Sequence, residues 1–139
     1  MRYIYFDAAS NFLQLAQVAV YGQDRKENLA FKKRTCSSLH YENCHEGYPV
    51  DGMLKARPGD EIYHSADSQG CYWYVDLGAE YKVDKIVFYN RVDCNERAKG
   101  YVITALDESW TIQYRWKVTS EDLEQEFSTR TRGAFQSPG

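Results

Sequence analysis

Tyr72-Trp73-Tyr74-Val75-Asp76-Leu77-Gly78 and, six residues on, Lys85-Ile86-Val87-Phe88-Tyr89-Asn90-Arg91-Val92-Asp93 decide the fold class. Both are short runs of aromatic and β-branched residues closed by turn residues, which is how strands of a sandwich or barrel read. In these runs successive residues point to opposite faces, so about half of Tyr72, Trp73, Val75, Leu77, Ile86 and Phe88 are core, Trp73 among them. Working outward, the same pattern predicts strands over Tyr3 to Phe6, Leu13 to Tyr21, Gly100 to Leu106, Trp110 to Val118 and Glu126 to Thr129. Within Leu13 to Tyr21, Leu13 and Leu15 face the same side as Val18 and Val20 only if a bulge at Ala16 and Gln17 shifts the alternation. Asp107-Glu108-Ser109 reads as a hairpin turn. The stretch from Lys32 to Gly70 is polar and rich in Ser, Asp, Gly and Pro, and so long a loop inside a compact domain is usually functional.

The composition agrees. A chain of 139 residues with 43% hydrophobic and 27% charged residues is a single globular domain. Its expected span is 1–130, followed by a frayed tail at 131–139 that carries Gly, Ser and Pro without periodicity. No apolar run approaches the roughly 18 residues that a membrane-spanning helix requires. Seventeen Lys and Arg against 20 Asp and Glu leave a net charge of −3, the wrong sign for a protein that gains affinity by neutralising phosphates, so nucleic acid is not an expected partner. Aromatic residues make up 15%, including 12 Tyr, and supply flat amphipathic contact surface.

Catalysis finds little support. Ser37 and Ser38 lack a nucleophile-elbow context, there is no glycine-rich phosphate loop, and Asp60 and Glu61 are adjacent and would point apart. The expectation is a non-enzyme. Cys36, His40, Cys44 and His45 offer zinc ligands, but their irregular spacing matches none of the paired-knuckle patterns. A Cys36–Cys44 disulfide fits an oxidising setting better and would leave Cys71 and Cys94 to pair; in a reducing compartment all four are thiols.

Taken in order, Leu13 to Tyr21, Asn28-Leu29-Ala30, Ser37-Ser38, Val50-Asp51-Gly52, the Tyr72 and Lys85 runs, Arg97 and Gly100 resemble the discoidin-like, or coagulation factor V and VIII type C, family. That resemblance covers roughly residues 12–106 and implies an all-β fold, an antiparallel β-sandwich of the jelly-roll, galactose-binding-like kind. The closer resemblance is to the fucose-binding, or F-type, lectins, whose sugar site is a His, 26 residues, Arg-x-Asp, four residues and a second basic residue. Here His64 is followed by 26 residues and Arg91-Val92-Asp93, then by three residues and Arg97, and Cys94-Asn95 stands where those lectins often carry two adjacent Cys.

The resemblance implies that His64, Arg91 and Arg97 donate hydrogen bonds to a terminal sugar, fucose first, and that Asp93 orients the arginines. A sugar needs several fixed donors and an apolar wall, for which Tyr63 and Tyr72 are the candidates. It also implies a structural calcium at Val50-Asp51-Gly52, with Asp51 as the side-chain ligand, Met53 as a carbonyl donor and Glu124 or Glu126 as a late carboxylate. A plain Asp-Gly turn without metal, and a surface ion-pair cluster of Arg91, Arg97, Asp93 and Glu96, account for the same residues without function.

A single shallow sugar site is weak, so use in several copies, as a homo-oligomer or on a larger surface, is expected. The first residues, Met1 to Phe6, read as a strand and lack the regions of a secretory signal. An extracellular or particle-surface setting is favoured by the resemblance. The alternative is a structural module of a larger assembly, such as a virus capsid, in which the same scaffold meets other protein subunits.

Overall fold

The computed structural model describes residues 1–23, 26–130 and 135–136. Its strands, in chain order, are β1 (Tyr3–Ala8), β2 (Gln14–Leu15), β3 (Gln17–Gly22), β4 (Arg34–Ser37), β5 (Tyr63–His64), β6 (Cys71–Asp76), β7 (Val83–Tyr89), β8 (Val102–Leu106), β9 (Ile112–Lys117), β10 (Glu124–Ser128) and β11 (Phe135–Gln136). Single 3-10 turns at Tyr48–Val50 and Asn95–Ala98 are the helical elements among the described residues. Among the described residues no helix is long and apolar enough to cross a membrane.

The strands form a six-stranded sheet in the order β11-β9-β8-β1-β6-β4, a three-stranded sheet β10-β7-β3, and a small ribbon β2-β5. Every pairing is antiparallel. Strict alternation of buried and partly exposed residues along β1 and β6 turns Ile4, Phe6, Trp73 and Val75 inward. They meet Val18, Val20, Ile86 and Phe88 of the smaller sheet in one apolar core, with Phe6 and Phe88 ring centroids 5.8 Å apart. Burial of these side chains is the main force holding the two layers together, at about 1.5–3 kcal/mol for each large one.

Two sequence expectations change. The run from Leu13 to Tyr21 does not bulge at Ala16 and Gln17. It is broken there into two strands, Ala16 N–H donating to Tyr89 O at 3.0 Å, so that β2 leaves the sheet to pair with β5 while β3 continues along β7. The irregularity in the β3–β7 pairing falls instead at Tyr21 and Gly22. Second, the region from Lys32 to Gly70 contains an edge strand, β4, which carries no apolar alternation and pairs with β6 from Arg34↔Asp76 to Ser37↔Trp73. The frayed tail expected at 131–139 lies outside the described residues except for Phe135–Gln136, which pair with Arg115 and Tyr114. The hairpin turn is where expected: Trp110 N–H donates to Asp107 O at 3.0 Å, and the Asp107 carboxylate caps the amides of Ser109 and Thr111 at 2.8 and 3.0 Å.

Candidate carbohydrate-binding site

Pairing of β2 with β5 places Gln14 opposite His64, and Gln14 is the centre of the site. Its side chain is fully buried, and its Oε1 accepts from Arg91 Nη1 at 2.7 Å and from Arg97 Nη1 at 3.1 Å while its Nε2 donates to Cys94 O at 3.2 Å. One buried amide thus joins the two arginines. Asp93 takes the other edge of Arg91 through Nε at 2.7 Å and Nη2 at 3.1 Å, a paired fork that fixes the guanidinium plane. Arg91 in turn holds the Asp93 carboxyl below the usual carboxylate range.

The three-residue step from Asp93 to Arg97 is absorbed by the second 3-10 turn. Cys94 enters it in the left-handed region (φ 53°), and the chain winds over Asn95–Ala98. Asn90, nearly fully buried, braces it by donating to Asn95 O at 2.8 Å. Arg97 therefore reaches Gln14 despite the missing residue.

His64 stands beside both arginines. Its Nδ1 lies 2.8 Å from Ser65 O, and since a carbonyl only accepts, Nδ1 carries the proton. Burial pushes its pKa down; the Ser65 bond is the next largest effect and opposes this, and the neighbouring Arg91 and Arg97 charges lower it further. His64 is then neutral near pH 7, and its free Nε2 accepts. This corrects the expectation of a third donor: the site offers two cationic donors and one acceptor, which suits hydroxyls that both give and take hydrogen bonds.

The wall is also different from the expected one. Phe12 has its ring 5.2 Å from that of His64 and 5.2 Å from the Arg97 guanidinium, and Tyr41 flanks His64 at 5.5 Å. Tyr63 is fully buried, with its hydroxyl donating to Ser38 O at 3.1 Å. Neighbours in a strand point to opposite faces, so Tyr63 and His64 could not share a site. Tyr72 stacks on Tyr5 at 5.7 Å on the outer face of the large sheet, beside Tyr74, Tyr3 and Trp110. Neither tyrosine belongs to the cluster.

Tyr101 supports it from below. Its buried hydroxyl accepts from Gln14 N–H at 2.9 Å and donates to Phe12 O, and burial raises its pKa strongly. Tyr101→Phe leaves both backbone groups unpaired, so a loss of about 1–3 kcal/mol is expected from urea unfolding.

Around Asp51 the residues do not fit a calcium ion. Lys55 Nζ already gathers Asp51 Oδ1 at 3.0 Å, Tyr48 O at 3.0 Å, Ala16 O at 2.9 Å and Gln17 Oε1 at 3.3 Å, with its side chain only 6% exposed. An ammonium takes the carboxylate and carbonyl oxygens that a hard cation would need. Met53 contributes its N–H, donating to Asp51 at 2.9 Å in the Asp-Gly turn. Gly52 is required there, because φ is +81° and a Cβ would meet the Phe31 ring. Glu124 and Glu126 lie on β10, opposite Tyr89 and Val87, where Glu126 pairs with Lys85 at 3.4 Å.

All four cysteines are free. Cys36 is exposed opposite Tyr74 on β4, whereas Cys44 lines a cavity of about 130 Å³ with Lys55, Arg57, Arg91 and Asp93, so the two thiols occupy different surfaces. A larger cavity, about 580 Å³, lies elsewhere among Met1, Glu80, Asp84 and Asp107, and contains none of the site residues.

Residues 48–134 match a family model of F5/F8 type C domains, described as NedA-like, galactose-binding domain. The chain belongs to this family. No curated protein and no solved structure matches it. The matched span of this galactose-binding-like domain holds His64, Arg91, Asp93 and Arg97, while Phe12 and Gln14 precede it. Membership makes the chain a carbohydrate-binding or interaction module.

Proposed function

We propose that this domain is a lectin-like module that binds a terminal sugar, fucose first, and performs no chemistry on it. The observation that carries the proposal is the convergence of Arg91 and Arg97 on Gln14 Oε1 beside a neutral His64 and the Phe12 ring. Arg91 uses three of its five N–H groups internally and Arg97 one, which leaves N–H groups on both for a ligand. Phe12 and Tyr41 supply apolar surface for the sugar's apolar face. The Asp51 turn is held by Lys55 and needs no calcium. A glycan array probed with the folded domain and with Arg97→Ala tests the reading: signal on fucosylated glycans that the variant loses supports it, and a blank array overturns it.

The site also predicts a pH dependence. An unfolded His titrates near pH 6.5, and the folded His64 lies lower. As pH falls from about 6.5 toward the folded value, the unfolded chain takes up its proton first and stability declines; above 6.5 both states are neutral and nothing is lost. Sugar affinity should fall in the same direction, through the folded pKa, because protonation removes the Nε2 acceptor. Affinity measured from pH 7.5 to 5 checks this, and His64→Gln, which has no titrating group, should flatten the profile.

A protein-contact role has one observation of its own: Trp110, 45% exposed, stacks on Tyr3 at 4.3 Å and extends the aromatic outer face of the large sheet. Aromatic faces of this kind are enriched at interfaces. If that face binds other subunits, Trp110→Ala alters the oligomeric state and leaves sugar binding intact.

A further inference from the structure

A second group of polar side chains stands apart from the arginines. His40 Nε2 lies 3.2 Å from His45 Nδ1, with ring centroids 4.5 Å apart at 66°. The Glu46 carboxylate joins them, all three ligand atoms falling within 4.8 Å of one another. Two imidazole nitrogens bound to one tetrahedral zinc ion at roughly 2.0–2.1 Å stand about 3.3 Å apart. The separation of the His40 and His45 nitrogens is already that of two ligands on one ion.

The backbone beneath these side chains is held at several points. His40 forms an antiparallel bridge with Ser65, Tyr41 N–H donates to His64 O at 2.8 Å, and His45 N–H donates to Asn43 O at 3.0 Å. Glu46 O accepts from the indole of the buried Trp73 at 2.8 Å. His40 and Glu46 are anchored this way to core elements and His45 is held by the turn between them, so the three need little ordering to close on a metal. Cys36 and Cys44 take no part, so the set is nitrogen and oxygen.

We propose that His40, His45 and Glu46 form a zinc site. Neutral imidazoles and one carboxylate leave the ion a net positive charge and, in a tetrahedral arrangement, a fourth position open to water or another small donor. Among the described residues His40 Nδ1 is buried without a partner. A ligating His normally donates its second N–H to an outer group, and loss of such a partner weakens metal binding by about 10–100-fold. The site is therefore a reversible one, weaker than a closed structural zinc site.

The test uses the whole chain, reduced and stripped of metal, without sugar, so that its outcome is independent of the lectin reading. Zinc chloride is titrated calorimetrically, and the zinc-edge X-ray absorption spectrum is recorded. One zinc per chain is expected, with a nitrogen and oxygen first shell that includes two imidazoles and no sulfur. His45→Ala, at an exposed position, and Glu46→Gln should each weaken binding at least tenfold, while Cys36→Ser leaves it unchanged. Absence of saturable binding by folded protein, sulfur in the first shell, or unchanged affinity in both His45→Ala and Glu46→Gln overturns the proposal and leaves a His–His hydrogen bond only.

Discussion

Lys55→Met is expected to lower the unfolding free energy by about 3–5 kcal/mol, the usual consequence of removing one partner of a buried charged network. The methionine keeps the length of the stem and removes only the ammonium. Asp51 then loses its counter-charge, with its side chain 26% exposed, and Ala16 O, Tyr48 O and Gln17 Oε1 lose a shared donor. These contacts join the break between β2 and β3 to the 3-10 turn at Tyr48–Val50, so the loss also loosens the layer that covers β3. Against a total stability of roughly 5–15 kcal/mol for a domain of ordinary size, the variant is marginal at physiological temperature. Urea unfolding measures it directly. The companion expectation is that chelation leaves the wild-type melting temperature unchanged in the absence of added zinc. A change under about 1 kcal/mol in Lys55→Met, together with a melting temperature that drops on chelation and recovers with calcium, would mean that a metal and not Lys55 holds the loop.

Arg91→Ala should weaken sugar binding by about 10–150-fold, the equivalent of one charged hydrogen bond of about 1.5–3 kcal/mol. Loss of the guanidinium acts twice. It removes donors from the site, and it frees Asp93 and one side of Gln14 Oε1, so that Arg97 loses part of its positioning. Arg91→Lys should recover little, because an ammonium cannot bridge Asp93 and Gln14 with fixed planar geometry. The cost to folding is expected to be smaller than that of Lys55→Met, since the Arg91–Asp93 pair is partly exposed, with side-chain exposures of 24% and 41%. Calorimetry for binding and urea unfolding for stability separate the two effects. Equal losses of affinity and stability would mean that Arg91 is structural only.

The strands that carry the core were legible because apolar and polar residues alternate cleanly along Tyr3–Ala8 and Cys71–Asp76. β4 was not, because Arg-Thr-Cys-Ser pairs at a sheet edge, where backbone hydrogen bonds suffice and no apolar face is needed. Spacing located His64, Arg91, Asp93 and Arg97 but not what joins them. Gln14 lies inside an apolar run whose alternation was counted for Leu13 and Leu15, and only the pairing of β2 with β5 brings it opposite His64. Its signal was present: a polar residue enclosed by apolar neighbours is buried with partners or not buried at all. Tyr63 could have been set aside by the two-residue period alone. Lys55 had no local signal, because its four acceptors come from Ala16, Gln17, Tyr48 and Asp51, and two of those lie at the break between β2 and β3, nearly forty residues earlier.

The most direct test of the sugar site is calorimetric titration of the purified domain with L-fucose, repeated after chelation and with His64→Ala. Saturable heat that persists after chelation and disappears in His64→Ala is the predicted result. A folded wild-type sample that gives no heat, or heat unchanged by His64→Ala, would contradict it.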